Sequence, residues 1–143
     1  MATRIQTIWQ TVFDIVKTIQ DEYSHPSKTK WVYSSFPDIK IEEKESYPII
    51  VIYSPDLDQS EPTYDLTENS VSIDIEIYAT STASLDDLTD RVITKIESNR
   101  STLEGAGLRV PVLKSMSTAT YRRSGMKVHM RRMTYSFNLV YAR

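Results

Sequence analysis

The side chains with the most chemical potential in this chain are carboxylates spaced two apart, two histidines and a cluster of arginines. Asp74 with Glu76, and Asp56 with Asp58, each set two acids at i and i+2. On a strand that spacing brings both carboxylates to one face, the arrangement a hard cation asks of its oxygen ligands. Asp74 and Glu76 nevertheless alternate with Ile73, Ile75 and Ile77, as the solvated or interface side of any half-buried strand does. His25 and His129 lie far apart in sequence. His129 alternates with Lys127 and Arg131, a cationic neighbourhood that disfavours both protonation and metal binding, so it reads as a surface-strand histidine. Asp86-Asp87 suits the positive end of a helix dipole better than acid–base work. None of the many serines and threonines stands in a nucleophile-elbow sequence. With no cysteine in the chain, thiol nucleophiles, thiolate metal sites and disulfides are excluded. The three glycines form no phosphate-cradling loop, and Gly105-Ala106-Gly107 follows a helical pattern where a nucleotide fold would place it before one. The expectation is a protein without catalytic residues, metal ligands or cofactor.

The basic cluster is the most informative surface feature. Arg122, Arg123, Lys127, Arg131 and Arg132, with Tyr121 and His129, fall within a dozen residues. Clustered arginine fits nucleic-acid phosphates. Arginine and tyrosine are equally favoured at the centres of protein interfaces, and a solubilising hairpin is the plain alternative. Net charge sharpens the point. All 19 acidic residues lie at or before Glu104, with nine of the 17 basic ones, so residues 1–104 carry −10 and residues 105–143 carry +8. This asymmetry suggests an anionic partner for the second part, or a partner that copies the first part of the same protein. Folding can also lay basic strands beside acidic ones and cancel part of it.

These side chains must be positioned by elements legible in the hydrophobic pattern. Asn69–Thr80 alternates, with Val71, Ile73, Ile75, Ile77 and Ala79 on one face and Ser72, Asp74, Glu76 and Tyr78 on the other. Leu85, Leu88, Val92 and Ile96 then fall at helical spacing, with Ser84 as a cap and Gly105 and Gly107 as the stop. Residues 3–23 form a first amphipathic helix through Ile5, Ile8, Trp9, Val12, Ile15, Val16 and Ile19. Trp31-Val32-Tyr33 reads as a short strand, and Ile39–Glu45 is ambiguous. Tyr47–Ser54 is a continuous apolar strand, expected to be covered on both faces or to lie at a subunit contact. Residues 55–68 read as a long acidic loop, with Asp56, Asp58, Glu61 and Asp65, that is either a binding element or mobile. Leu108–Leu113 is a strand that Pro111 assigns to an edge or a bulge. Tyr121–Gly125 is a hairpin tip, and Met126–Tyr141 is the closing strand. Met133, Tyr135, Phe137, Leu139 and Tyr141 share one parity while Val128 and Met130 have the other, so a bulge near Arg131-Arg132 is expected.

The fold expected is α+β: a largely antiparallel sheet of four to five strands with two helices packed on one face, in the order α-β-β-β-α-β-β. Residues 1–143 are expected to make a single domain, with the acidic loop 55–68 and the basic hairpin 121–132 as its appendages. No stretch approaches the roughly 20 apolar residues of a membrane span, and the N-terminal pattern is not a secretion signal. A soluble protein made in the cytosol is expected.

The order of elements resembles a known family. An N-terminal helix leads to Tyr47-Pro48-Ile49-Ile50-Val51-Ile52. A loop precedes Val71–Tyr78, a helix carries Leu85, Leu88, Val92 and Ile96, and Gly107-Leu108 opens a long hairpin ending in Tyr135–Tyr141. Over nearly its whole length the chain resembles the tail-terminator, or tail-completion, proteins of tailed viruses. The resemblance implies a structural virion protein of the tail–neck region, assembled in the host cytoplasm, with no activity and no cofactor. It implies a ring of like subunits, commonly a hexamer, capping the tail tube and joining it to the head connector, with DNA passing only through the lumen. On that reading Arg122, Arg123, Lys127, Arg131 and Arg132 would meet Asp56, Asp58, Glu61 or Asp65 of a neighbour or of a tail protein. The alternative is a nucleic-acid-binding domain that uses the basic hairpin.

Overall fold

A computed structural model of the chain describes residues 4–23, 25, 30–34, 47–53, 56–59, 66–105, 108–123 and 125–142, several of them by backbone alone. Four helical segments and six strands follow in chain order: α1 Arg4–Val16, α2 Ile19–Glu22, β1 Val32–Tyr33, β2 Ile49–Ile52, β3 Asp56–Gln59, β4 Leu66–Ala79, α3 Thr82–Ser98, α4 Arg100–Gly105, β5 Leu108–Arg123 and β6 Met126–Ala142. The architecture is α+β. One sheet runs β1-β2-β4-β6-β5, and β3 pairs with β4 beyond the end of β2. Every pairing is antiparallel except β1 with β2.

The two expected helices are each broken once, by a polar side chain that competes for a carbonyl. Thr18 Oγ1 donates to the Ile15 carbonyl (2.7 Å) between α1 and α2. Asn99 Nδ2 donates to the Lys95 carbonyl (2.8 Å) between α3 and α4. The cap of α3 is Ser81, whose Oγ accepts from Ser84 N–H (3.2 Å); Ser84 is the capped residue and not the cap. α4 ends at Gly105, while Gly107 lies outside the described residues. Gln20 stitches α2 to the sheet, its Oε1 accepting from the backbone N–H of Trp31 (2.7 Å) and Val32 (3.0 Å).

The main core lies between the sheet and the helices. Leu85, Leu88, Val92 and Ile96 of α3 meet Val71, Ile73, Ile75 and Ile77 of β4, with Ile50 and Ile52 of β2 and Met133, Tyr135 and Phe137 of β6. Ile49 and Val51 point the other way and join Tyr47 and Val128 in a second, smaller cluster. The apolar run of β2 is therefore covered on both faces by its own chain, which resolves the alternative of a subunit contact.

Val128 in that second cluster also overturns the expected bulge at Arg131-Arg132. The β4–β6 register is unbroken from Leu66↔Ala142 to Ala79↔His129. The change of parity along β6 is a change of core, with Val128 packing behind the sheet and Met133 in front. The irregularities fall in β5 instead, between Arg109 and Val112 and between Leu113 and Ser115, around the edge-strand Pro111. The acidic loop is also shorter than expected. Asp56–Gln59 is strand, in register with Asn69–Ser72, and β4 begins at Leu66. The long β4 supplies a partner that residues 56–59 could not find locally, so context overrides a weak intrinsic preference. Glu61 and Asp65 lie outside the described residues.

Candidate interaction surface

β4, β6 and β5 carry the polar residues of interest, and strand alternation sorts them onto two faces. Arg131 and Arg132 are neighbours in sequence, so they project to opposite sides. Arg131 reaches the helix side, where Nη1 donates to Asp86 Oδ1 (2.7 Å) and to Thr89 Oγ1 (3.3 Å), and Nε donates to Thr118 Oγ1 (3.2 Å). Asp86 thus has a specific partner, which the helix-dipole reading missed; Asp87 pairs along the helix with Arg91 (3.1 Å). The contact ties the base of the β5–β6 hairpin to the first turns of α3.

Arg132 points to the far face and meets Glu76. Its Nε donates to Glu76 Oε2 at 2.9 Å, and its Nη2 lies 2.7 Å from the same oxygen in an ion pair. The other carboxylate oxygen, Oε1, accepts from the Tyr53 hydroxyl (2.6 Å) and the Tyr78 hydroxyl (2.9 Å). Glu76 is 3% exposed, so it is neither solvated nor open to a partner. The expectation of a wet or interface position fails there, because the phenol of Tyr53 just after β2, the phenol of Tyr78 on β4 and the guanidinium of Arg132 on β6 close over it. Burial, then the Glu76 hydrogen bond and charge, push the Tyr53 phenol up to about 12 and raise Tyr78 as well. The same bond to Glu76 raises Arg132. Beside this cluster Asp74 Oδ1 accepts from Thr134 Oγ1 (2.6 Å). The i, i+2 pair Asp74/Glu76 is consumed by internal donors, and among the described residues no group of acids and histidines is placed to hold a metal ion.

The hairpin tip differs. Arg122 and Lys127 stand opposite each other across β5 and β6, both exposed, with no carboxylate partner among the described residues. Like charges directly across a ladder are destabilising. Gly125, at φ +80°, supplies the left-handed turn between the strands. Arg123 pairs with Met126 in the ladder and is described by backbone only, as are Asp56 and Asp58. Thr120 Oγ1 and His129 Nδ1 lie 3.1 Å apart behind the tip, on the same face as Lys127 and Arg131, as the sequence indicated. Among the described residues, Tyr121, Met116 and Val112 are the exposed large apolar side chains, and all three belong to β5.

His25 is a packing residue on the opposite side of the molecule. Its Nε2 donates to the Pro48 carbonyl (2.9 Å), and its ring lies 5.4 Å from that of Trp31. On the helix side two shallow clefts of about 380 and 330 Å³ flank the Lys95–Glu22 ion pair, lined by Thr11, Asp14, Asp90 and Asn99 among others. Both are partly open to solvent, unlike the enclosed apolar pockets that hold small molecules.

Of the nine charged residues singled out from sequence, the fold separates more than it gathers. Arg131 and Arg132 are bound inside the chain on opposite faces, and Arg122 and Lys127 stand at the hairpin tip. Asp56 and Asp58 lie on the far side of β4 from that hairpin. Tyr53 and Tyr78, the partners of Glu76, went unnoticed in sequence; Tyr78 at i+2 from Glu76 on one strand face was the signal available. No protein-family model matches the chain, and no curated protein sequence matches it.

Proposed function

We propose that this chain is a non-enzymatic assembly protein whose subunits join head to tail into a ring. Its role is that of the tail-terminator proteins it resembles: capping a viral tail tube and joining it to the head connector. The observation that carries the reading is the exposed cation pair Arg122–Lys127 at the tip of the β5–β6 hairpin, without a carboxylate partner among the described residues and at the opposite side of the sheet from the acidic β3. A cross-strand repulsion at an exposed tip is relieved by an anionic partner, and unlike ends on one rigid protomer favour heterologous contact. The two arginines closest to the body, Arg131 and Arg132, already have internal carboxylates and hold the hairpin in place. The contact set is thereby narrowed to the tip.

Nucleic-acid binding remains the second reading, because the same tip would suit phosphates. Deleting the chain from its virus tests the first. Tails of uncontrolled length that fail to join heads are expected. Normal tails in its absence would overturn the proposal. The double variant Arg122→Glu/Lys127→Glu should reproduce the deletion while keeping the native circular dichroism spectrum. A wild-type chain that binds DNA with a steep salt dependence, and forms no ring alone or on tails, would favour the alternative.

A further inference from the structure

The outer side of β5 is a pairing edge left open at one end and protected at the other. From Leu108 to Lys114 the strand carries the devices that stop edge-to-edge association: Pro111, two register shifts and the bulged Lys114. From Ser115 to Tyr121 it carries none. Ser-Met-Ser-Thr-Ala-Thr-Tyr is uncharged, free of proline and glycine, and regular in its pairing with β6. All of it is exposed except the half-buried Ala119. Seven residues at about 3.4 Å each give some 24 Å of backbone donors and acceptors with no strand beyond them among the described residues.

Charge decides what can fill this edge. The run is bounded by Lys114 on one side and by Arg122 and Arg123 on the other. Antiparallel pairing of two copies of β5 about Thr118 would set Lys114 against Arg122 at both ends. That juxtaposition of like charges works against a two-fold dimer. An extended segment bearing acids fits instead. The same sheet ends on its other side in such a segment: β3, Asp56-Leu57-Asp58-Gln59, which pairs with β4 and with no second strand among the described residues.

We infer that β5 of one protomer, over Ser115–Tyr121, accepts β3 of a second copy, so that the sheet continues from subunit to subunit. Main-chain hydrogen bonds supply the contact, and the flanking cations with Asp56 and Asp58 supply its direction. The inference rests on the head-to-tail reading above and adds the surface that makes the joint.

Because the chain has no cysteine, single-cysteine variants report the contact cleanly. Gln59→Cys is mixed in turn with Ser115→Cys, Ser117→Cys and Ala119→Cys, and the mixtures are oxidised in dilute solution. Adjacent strands bring Cα atoms within disulfide range, so at least one mixture should give the mixed dimer in roughly tenfold excess over either self-dimer. Lys114→Glu/Arg122→Glu in the β5 partner should remove that excess. Dominant self-dimers of a Thr118→Cys variant would overturn the inference in favour of a two-fold edge contact. So would the absence of cross-links in protein that light scattering shows to be a ring, and in that case the ring reading survives. A chain that neither cross-links nor assembles, alone or on tails, refutes both.

Discussion

Replacing Arg132 with methionine isolates what the Glu76 cluster contributes. Methionine keeps an unbranched apolar stem of similar reach and removes only the guanidinium. Of the four polar contacts on the Glu76 carboxylate, one charge-assisted hydrogen bond and one ion-pair contact disappear with it. Such bonds are worth about 1.5–3 kcal/mol each, and stranding one member of a buried pair costs about 3–5 kcal/mol. The full range does not apply, because the Arg132 side chain is 50% exposed and water already screens that end of the pair. The Glu76 side chain, at 4%, has no such access, and the two phenols remain to share its charge. A destabilisation of about 2–3 kcal/mol follows, which for a domain of this size lowers Tm by roughly 5–10 °C. Urea unfolding followed by the fluorescence of the buried Trp31, alongside thermal melts by circular dichroism, measures it.

The control is the double variant Glu76→Gln/Arg132→Met. It removes the stranded charge together with its partner, so it should be less destabilised than Arg132→Met plus Glu76→Gln summed, by about 1–2 kcal/mol of coupling. An Arg132→Met variant within about 0.5 kcal/mol of wild type, or two substitutions that simply add, would refute the reasoning. The result also governs how assembly experiments are read. A ring lost on changing Arg132 reports a damaged sheet, whereas a ring lost on changing Arg122 or Lys127 reports a damaged contact.

Alkaline titration gives a second outcome. The Tyr53 and Tyr135 phenols are raised from 10.0 to about 12, mainly by burial, so the folded chain keeps protons there that the unfolded chain releases. That contribution to stability is complete below pH 10 and is lost as pH climbs towards 12, and Tyr53→Phe should flatten its share of the decline. Phenolate absorbance should rise in two phases, exposed tyrosines first and the rest only with unfolding. Asp86→Asn weakens the Arg131 tie between hairpin and α3. With Asp86 itself 64% exposed, global stability should fall by at most about 1 kcal/mol, while amide exchange over Ser115–Tyr121 quickens several-fold; unchanged exchange there would mean that the tie does not hold the hairpin.

What could be read in advance was whatever a single period encodes. Val71 through Ala79 at period two and Leu85 through Ile96 at helical spacing gave the sheet, the helix and their mating faces, because burial on one side writes itself into one strand or one helix at a time. The features that escaped depend on a second element. Asp56–Gln59 is a strand only because β4 extends far enough to pair with it. Val128 looked out of phase because its cluster is completed by Tyr47, Ile49 and Val51, some eighty residues earlier. Glu76 looked solvated because nothing in its own strand but Tyr78 announces the phenol and guanidinium that cover it.

Charge shows the same limit most sharply. Along the sequence, Arg131 and Arg132 add to one basic run with Arg122, Arg123 and Lys127, and the acids of β4 and α3 add to a distant negative half. In the sheet β6 lies directly beside β4, so Glu76 meets Arg132 across the ladder. The alternation that sends Arg131 to the other face delivers it to Asp86. A linear charge count cannot see this, because adjacency in a sheet is set by strand order and facing by parity. Among the described residues, the asymmetry that survives folding lies at the distal end of the β5–β6 ladder, where β4 has already ended at Ala79 and no described acidic strand runs alongside. It is the length of the hairpin beyond β4, more than the number of arginines in it, that leaves Arg122 and Lys127 without a carboxylate among the described residues.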